Sequence, residues 1–240
     1  MQLKAYFCPH MAFILCIETA TNVCSVAIAH QGDCIITYNH SMPNVHAAEL
    51  HSMVKKILQE TGLTLSKLSA IAISKGPGSY TGLRVGVSAA KGYAYALGIP
   101  LIAINTLSSL TAIAKKQISD PKALFIPMID ARRMEVYCAV LNSNLQFLQE
   151  TQALIIEHTS FSSILPNANV YFFGNGAEKC KSILNQTNFQ FLEDISCCAA
   201  GLSQLAHEAY IKKEFVNLAY FEPNYLKDFI GTQAKNKLYN

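Results

Sequence analysis

The run Ile71-Ala72-Ile73-Ser74-Lys75-Gly76-Pro77-Gly78-Ser79-Tyr80-Thr81-Gly82-Leu83-Arg84-Val85-Gly86 restricts the chain to few folds. Its apolar, β-branched opening reads as a buried strand, and Gly76-Pro77-Gly78 breaks that strand sharply. Ser79 and Thr81 then offer hydroxyl caps to a helix that reaches about Leu97. Free backbone N–H groups at such a helix start suit a phosphate. The nucleotide patterns are nevertheless missing. Leu83 and Arg84 follow Gly82 where a P-loop needs lysine and a hydroxyl, and Gly76, Gly78 and Gly82 do not have G-x-G-x-x-G spacing.

The helix carries Gly82, Gly86, Ala90, Ala94 and Gly98 four residues apart, a smooth stripe along one face. Interior glycine costs about 1 kcal/mol relative to alanine, so Gly86 and Gly92 make this a poor helix by propensity. A smooth stripe is useful where another backbone comes close. Packing inside its own domain and a helix–helix contact with another subunit both fit the pattern.

The remaining elements follow in order. Strands at Phe13–Glu18, Val23–His30 and Cys34–His40 precede a helix over His46–Thr61 with Leu50, Met53, Val54, Ile57 and Leu58 on one stripe. After the strand and helix already described come a strand at Leu101–Ile104 and a helix from Thr106 to about Ile118. The order then restarts. Strands are expected at Leu124–Asp130, Glu135–Leu141 and Leu145–Glu150, then a short helical piece at Phe161–Leu165 and a strand at Asn169–Phe173. A helix from Gly174-Asn175-Gly176 to Leu184, a strand at Phe189–Leu192 and a long helix at Ser196–Lys213 complete the second half. The expected fold is therefore α/β, a duplicated β-β-β-α-β-α unit in two lobes, as in actin, sugar kinases and Hsp70 (the ASKHA fold). Residues 1–11 read as an extension, with Met11 as an alternative start; residues 12–120 form the first lobe and 121–240 the second, meeting near Asp120-Pro121. An acid closes the first strand of each half: Glu18 and Asp130.

Composition narrows the function. A net charge of +3 and isolated basic pairs, Lys115-Lys116, Arg132-Arg133 and Lys212-Lys213, argue against a dedicated nucleic-acid surface; if RNA is involved, a partner supplies much of the contact. Eight cysteines without C-x-x-C spacing, several inside apolar runs, read as small hydrophobes in a reducing cytosol. No apolar run reaches the roughly 20 residues that span a bilayer, so a cytoplasmic protein is expected.

Ile17-Glu18-Thr19-Ala20-Thr21, the Gly76–Gly86 block, Asp130-Ala131-Arg132-Arg133-Met134-Glu135-Val136-Tyr137, Gly174-Asn175-Gly176-Ala177 and Pro223-Asn224-Tyr225-Leu226-Lys227 together resemble the TsaB family. That family is the non-catalytic subunit of the bacterial machinery that makes N6-threonylcarbamoyladenosine at position 37 of tRNA. The resemblance covers about Ala12 to Lys235, with Glu18, Tyr80 and Met134 standing where Asp, Phe and Gly are usual. It implies a TsaD-type catalytic partner of the same fold, which binds metal, and a TsaE-type ATPase that binds the pair. ATP and metal belong to those partners and no cofactor to this chain; tRNA is reached indirectly through the complex. The paralogues meet through first-lobe helices, which places partner contacts at His46, Glu49, Leu50, Met53, Ile57, Tyr80, Gly82, Arg84, Gly86, Val87, Ala90 and Ala94. A homodimer through the same helices is expected when the partner is missing.

The chemistry agrees with a chain that has no catalytic residues of its own. Glu18-Thr19-Ala20-Thr21-Asn22 and Asp130-Ala131-Arg132-Arg133 supply acids, but no glycine for close phosphate approach. Glu18, Thr19, Asp130, Gly174 and Gly176 remain candidates for weak nucleotide contact in the cleft between lobes. His46 and His51 are five apart, and at about 100° per residue they diverge, unlike an i, i+4 metal pair. The rival reading is a stand-alone ASKHA enzyme, a metallopeptidase or an ATP-dependent kinase.

Overall fold

The computed structural model of the chain describes residues 12–41, 46–162 and 168–227, apart from the side chains of 46–48. The expectations for residues 1–11, for the break at Pro43-Asn44 and for most of the short helical piece near 161–165 lie outside them. Strands β1 (Phe13–Glu18), β2 (Val23–His30) and β3 (Asp33–Ser41) lead to α1 (His46–Thr61), β4 (Leu68–Ser74), α2 (Tyr80–Leu97), β5 (Leu101–Ile104) and α3 (Thr106–Lys115). The second half holds β6 (Leu124–Asp130), β7 (Glu135–Asn142), β8 (Phe147–Ile155), β9 (Val170–Phe173), β10 (Phe189–Phe191) and α4 (Ser203–Lys212).

The sheets repeat one topology, β3-β2-β1-β4-β5 and β8-β7-β6-β9-β10. In each, the first strand pairs antiparallel with the second and parallel with the fourth. This is the duplicated α/β arrangement of the ASKHA fold.

Helices cover both faces of the first sheet, which is why its central strands read as unbroken apolar runs. Leu15, Ile17, Val26, Ile28, Ile71 and Ile73 pack against α1 and α2. The alternate residues Ile14, Cys16, Ala27, Ala29, Ala70 and Ala72 pack against Leu202, Ala206, Ala209 and Tyr210, so α4 covers the sheet of the first half. Reciprocally, Leu107, Leu110 and Ala114 of α3 pack with Phe125, Ile129 and Leu141 of the second sheet. The buried cysteines behave as apolar side chains, and burial pushes the Cys24 thiol to about 11 and that of Cys138 to about 12. After α4 the chain returns to the first lobe: Val216 N donates to Leu101 O at 3.0 Å, Lys91 Nζ to Phe221 O at 3.1 Å and Asn224 N to Lys75 O at 2.6 Å.

Two helices of the second half are shorter than expected. Only a 3-10 turn at Glu178–Cys180 forms after Gly174, where two glycines and an asparagine open a stretch too short to sustain a helix by itself. The long helix expected from Ser196 begins instead as a 3-10 turn at Ala199–Leu202, and α4 proper starts at Ser203. Cys198 is extended, and the Ala199 amide donates to Ser25 Oγ of β2 at 2.8 Å, so the sheet takes the donor a helix start would offer.

The structure resolves the two readings of the small-residue stripe. Gly82, Gly86, Ala90 and Ala94 are buried against their own sheet, with Val87, Leu50, Met53 and Ile57 in the same core. A Cβ on Gly82 would lie 2.1 Å from Thr19 O, and one on Gly86 would lie 2.1 Å from Thr19 Oγ1. Gly98, the fifth member, is the left-handed C-cap of α2. These residues are therefore not a free face for another subunit. Gly86→Ala should destabilise the fold by about 2–3 kcal/mol through overpacking, while Gly92→Ala, with no described residue within 4 Å of its Cβ position, should stabilise it by up to about 1 kcal/mol. Thermal or denaturant unfolding of the two variants checks the pair, and equal stabilities would contradict this placement of the helix.

Candidate functional site

Because one face of α2 is spent on the core, the opposite face is what the chain offers outward. Arg84, Val85, Ser88, Ala89, Gly92, Tyr93 and Ala96, with Leu50 and His51 of α1, line an open groove of about 680 Å³. Ser88, Gly92 and Ala96 repeat at four-residue spacing and form a second smooth stripe, this one facing solvent. Its signal was present in the sequence. Gly92 is costly to the helix, but the stripe beginning at Gly82 is the more conspicuous of the two. Among the described residues nothing packs on Gly92, so no contact there offsets its helix penalty.

Polar groups frame the groove. Tyr93 OH meets His51 Nδ1 at 2.8 Å, and burial raises the Tyr93 phenol above its usual range. Arg84 Nη1 donates to Tyr80 OH at 3.1 Å, and the Tyr80 ring lies 4.8 Å from that of Tyr225. Glu49 is half-exposed, with its carboxylate 3.9 Å from His40 Nδ1. Of the twelve expected contacts, only Glu49, Tyr80 and Arg84 thus stand at the surface, Leu50 forms part of the groove floor, and the His46 side chain lies outside the described residues.

The five cleft candidates fall into two separate arrangements. Glu18 and Thr19 are both fully buried. Glu18 Oε1 accepts from the Ala20 amide at 2.7 Å and from Ser74 Oγ at 2.8 Å, while Oε2 has no partner among the described residues. Thr19 Oγ1 donates to Gly82 O at 2.8 Å. The turn beyond them is covered: Ser79 N donates to Ala20 O at 2.7 Å, and Gly78 sits so close that a Cβ would lie 2.3 Å from that oxygen. The first hairpin is therefore filled by the Gly76–Ser79 turn.

The second hairpin is filled by a side chain that the sequence reading did not single out. Lys179 Nζ forms an ion pair with Asp130 and donates to the carbonyls of Arg133 at 2.6 Å and Glu135 at 2.7 Å. Asp130 Oδ1 also accepts from the Arg132 amide at 3.1 Å. Gly174 and Gly176 lie behind this hairpin, where a Cβ would come within 2.4 Å of Met128 O and 2.9 Å of Ile129 C respectively. Their lack of side chains serves close packing on β6. No sequence pattern flagged Lys179, because its acceptors come from a distant hairpin.

The sequence matches the family model for TsaD, tRNA N6-adenosine threonylcarbamoyltransferase, over residues 41–235. The tRNA threonylcarbamoyladenosine biosynthesis protein TsaB of Haemophilus influenzae is 29% identical over 225 residues, covering 90% of this chain and 93% of its own. TsaB of Escherichia coli is 36% identical over 126 residues, which is 52% of this chain and 53% of that one, about half of each. A solved Pseudomonas aeruginosa structure, described as similar to the peptidase YeaZ, has a TM-score of 0.79 at 28% identity, over 90% of this chain and 100% of that one.

The Glu18 carboxyl gives this region a pH signature. Burial raises it from 4.5 to about 7, against the lowering hydrogen bonds from the Ala20 and Thr19 amides and the Ser74 hydroxyl. Burial pushes up the thiols of Cys24, Cys197 and Cys198, and the Glu18 charge adds to it. The folded chain thus binds the Glu18 proton more tightly than the unfolded chain does. This contribution is fully present below the unfolded value of 4.5 and is lost as pH rises through about 7. The loss is of order 3 kcal/mol. Glu18→Gln, which keeps an acceptor at the same place, should flatten the fall in stability between about pH 5 and 8. Urea unfolding across that range is the check, and identical slopes in both proteins would mean that Glu18 is ionised in the fold.

Proposed function

We infer that the chain, which belongs to the TsaB family of tRNA threonylcarbamoyladenosine biosynthesis proteins, works as a non-catalytic scaffold that docks and activates a TsaD-type catalytic subunit. The observation that carries this reading is the open α1–α2 groove, with Gly92 exposed at its centre. A glycine in a solvent-facing helix interior weakens the helix, and it becomes useful when a second helix must approach backbone to backbone. Val85, Ala89 and Tyr93 supply apolar surface there, with Arg84 at its edge to set register.

The catalytic subunit holds the metal and performs the transfer, and a TsaE-type ATPase binds the pair. This chain contributes shape, not turnover. Support for that division comes from the two hairpins, whose inward groups are occupied by the chain's own Ser79 amide and Lys179 ammonium. A stand-alone kinase or metallopeptidase would need those groups free. Without its partner the chain pairs with a second copy through the same groove. Among the described residues no helix is long and apolar enough to cross a membrane, and a tRNA-modifying complex belongs in the cytoplasm.

Reconstitution tests the scaffold. Threonylcarbamoyl transfer to tRNA should require this chain beside the TsaD-type and TsaE-type partners, and the chain alone should make no product. Product formed equally well in its absence would end the scaffold reading. Gly92→Leu should weaken binding to the catalytic subunit at least about tenfold, or 1.4 kcal/mol, with no loss of thermal stability. Unchanged affinity would remove the groove as the contact.

A further inference from the structure

Arg132 and Arg133 stand at the β6–β7 turn with φ of 72° and 50°, two adjacent non-glycine residues in the left-handed region. Asparagine and glycine adopt this backbone far more readily. The turn is held from outside by Lys179, which grips Asp130 and the carbonyls of Arg133 and Glu135. Both acids beside the turn are already neutralised, Asp130 by Lys179 and Glu135 by Lys227. The two arginines are exposed, and among the described residues neither has a carboxylate partner. The local count, Arg132, Arg133, Lys179 and Lys227 against Asp130 and Glu135, leaves two positive charges facing solvent.

Aromatic rings continue this surface. Lys227 follows two residues after Tyr225, which is 37% exposed and packs on Tyr80, whose hydroxyl accepts from Arg84. The ion pair between Lys227 and Glu135 ties the turn and the tail into one patch. Unneutralised guanidinium groups on the same surface as an exposed tyrosine are the chemistry of a phosphate backbone with unstacked bases.

Building on the threonylcarbamoyladenosine reading, we propose that the Arg132–Arg133 turn and the adjoining Tyr225–Lys227 tail bind the tRNA substrate directly, the arginines on phosphates and the exposed tyrosine against a base. The chain is then a second RNA-binding surface of the complex as well as its scaffold.

The test titrates a fluorescently labelled, unmodified tRNA transcript against the full chain, alone and with its catalytic partner, at several salt concentrations. Arg132→Asn/Arg133→Gly removes both charges while giving the turn residues that tolerate its backbone, so its melting temperature should hold or rise. Its tRNA affinity should fall about tenfold, and the slope of log K against log salt should shrink by about 2. Arg132→Lys/Arg133→Lys should retain most of the binding, because a phosphate needs charge more than a fork. Unchanged affinity and slope in the Asn/Gly variant would overturn the proposal. So would a wild-type chain that adds nothing to tRNA binding. Loss of catalytic-subunit binding without RNA would assign the arginines to a protein contact and overturn it equally. Transfer assays fail separately: product made without the chain defeats the scaffold reading, whereas the titration alone decides the arginines.

Discussion

Thr19 and the start of α2 approach each other so closely that a Cβ on either Gly82 or Gly86 would not fit, and much else depends on that contact. A helix whose Gly82 and Gly86 leave room only for the backbone and hydroxyl of Thr19 has no freedom to shift or rotate. The Thr19 hydroxyl, donating to Gly82 O at 2.8 Å, fixes the rotation. Once α2 lies there, the Gly76–Ser79 turn must pass over Ala20, and the Ser79 amide bonds to Ala20 O. That cover seals Glu18 from water. A single steric choice thus sets the helix position, closes the first hairpin and makes a carboxyl titrate near neutrality. It also decides which face of α2 is left for others.

The second lobe reaches a comparable closure by different chemistry. Its hairpin is occupied by an ammonium instead of a backbone amide, with three acceptors converging on Lys179. The duplicated topology therefore constrains where the hairpins lie but not what fills them. A backbone plug is fixed by the fold and cannot be mutated away. A lysine plug can be lost in one substitution, so it is the more informative place to ask whether an emptied cradle regains affinity for anions.

The succession of strands and the first-half helices could be read from the sequence because they rest on local periodicity: β1, β2, β5, β6 and α1 begin and end where the apolar pattern places them. The second-half helices could not, because Ser25, remote in sequence, takes the amide at Ala199. The same limit applies to the site. A four-residue spacing of small side chains shows that a smooth face exists, but not which way it turns. Gly82 to Ala94 and Ser88 to Ala96 carry equivalent signals on opposite sides of one helix, and only the sheet beneath decides between them. The charged rim was partly visible, since Arg84 follows directly from its place at the helix start. Lys179 was not, because its partners lie more than forty residues away.

The surface that remains is continuous. Arg84 ends the groove on α2 and contacts Tyr80, Tyr80 packs on Tyr225, and Lys227 pairs with Glu135 at the foot of the arginine turn. A helix docked in the groove would therefore share a border with whatever lies along the tail. Arg84 stands at that border, so its charge belongs to both surfaces, and electrostatic complementarity at a shared rim governs encounter rate more than final affinity. A surface built this way can couple two binding events without moving. Covering Arg84 with an acidic partner residue would withdraw one cation from the stripe that runs along the tail, whereas leaving it uncovered would add one. The sign of that coupling is set by the partner's side chain opposite Arg84, while its size is limited by screening over a Debye length of about 8 Å at physiological salt.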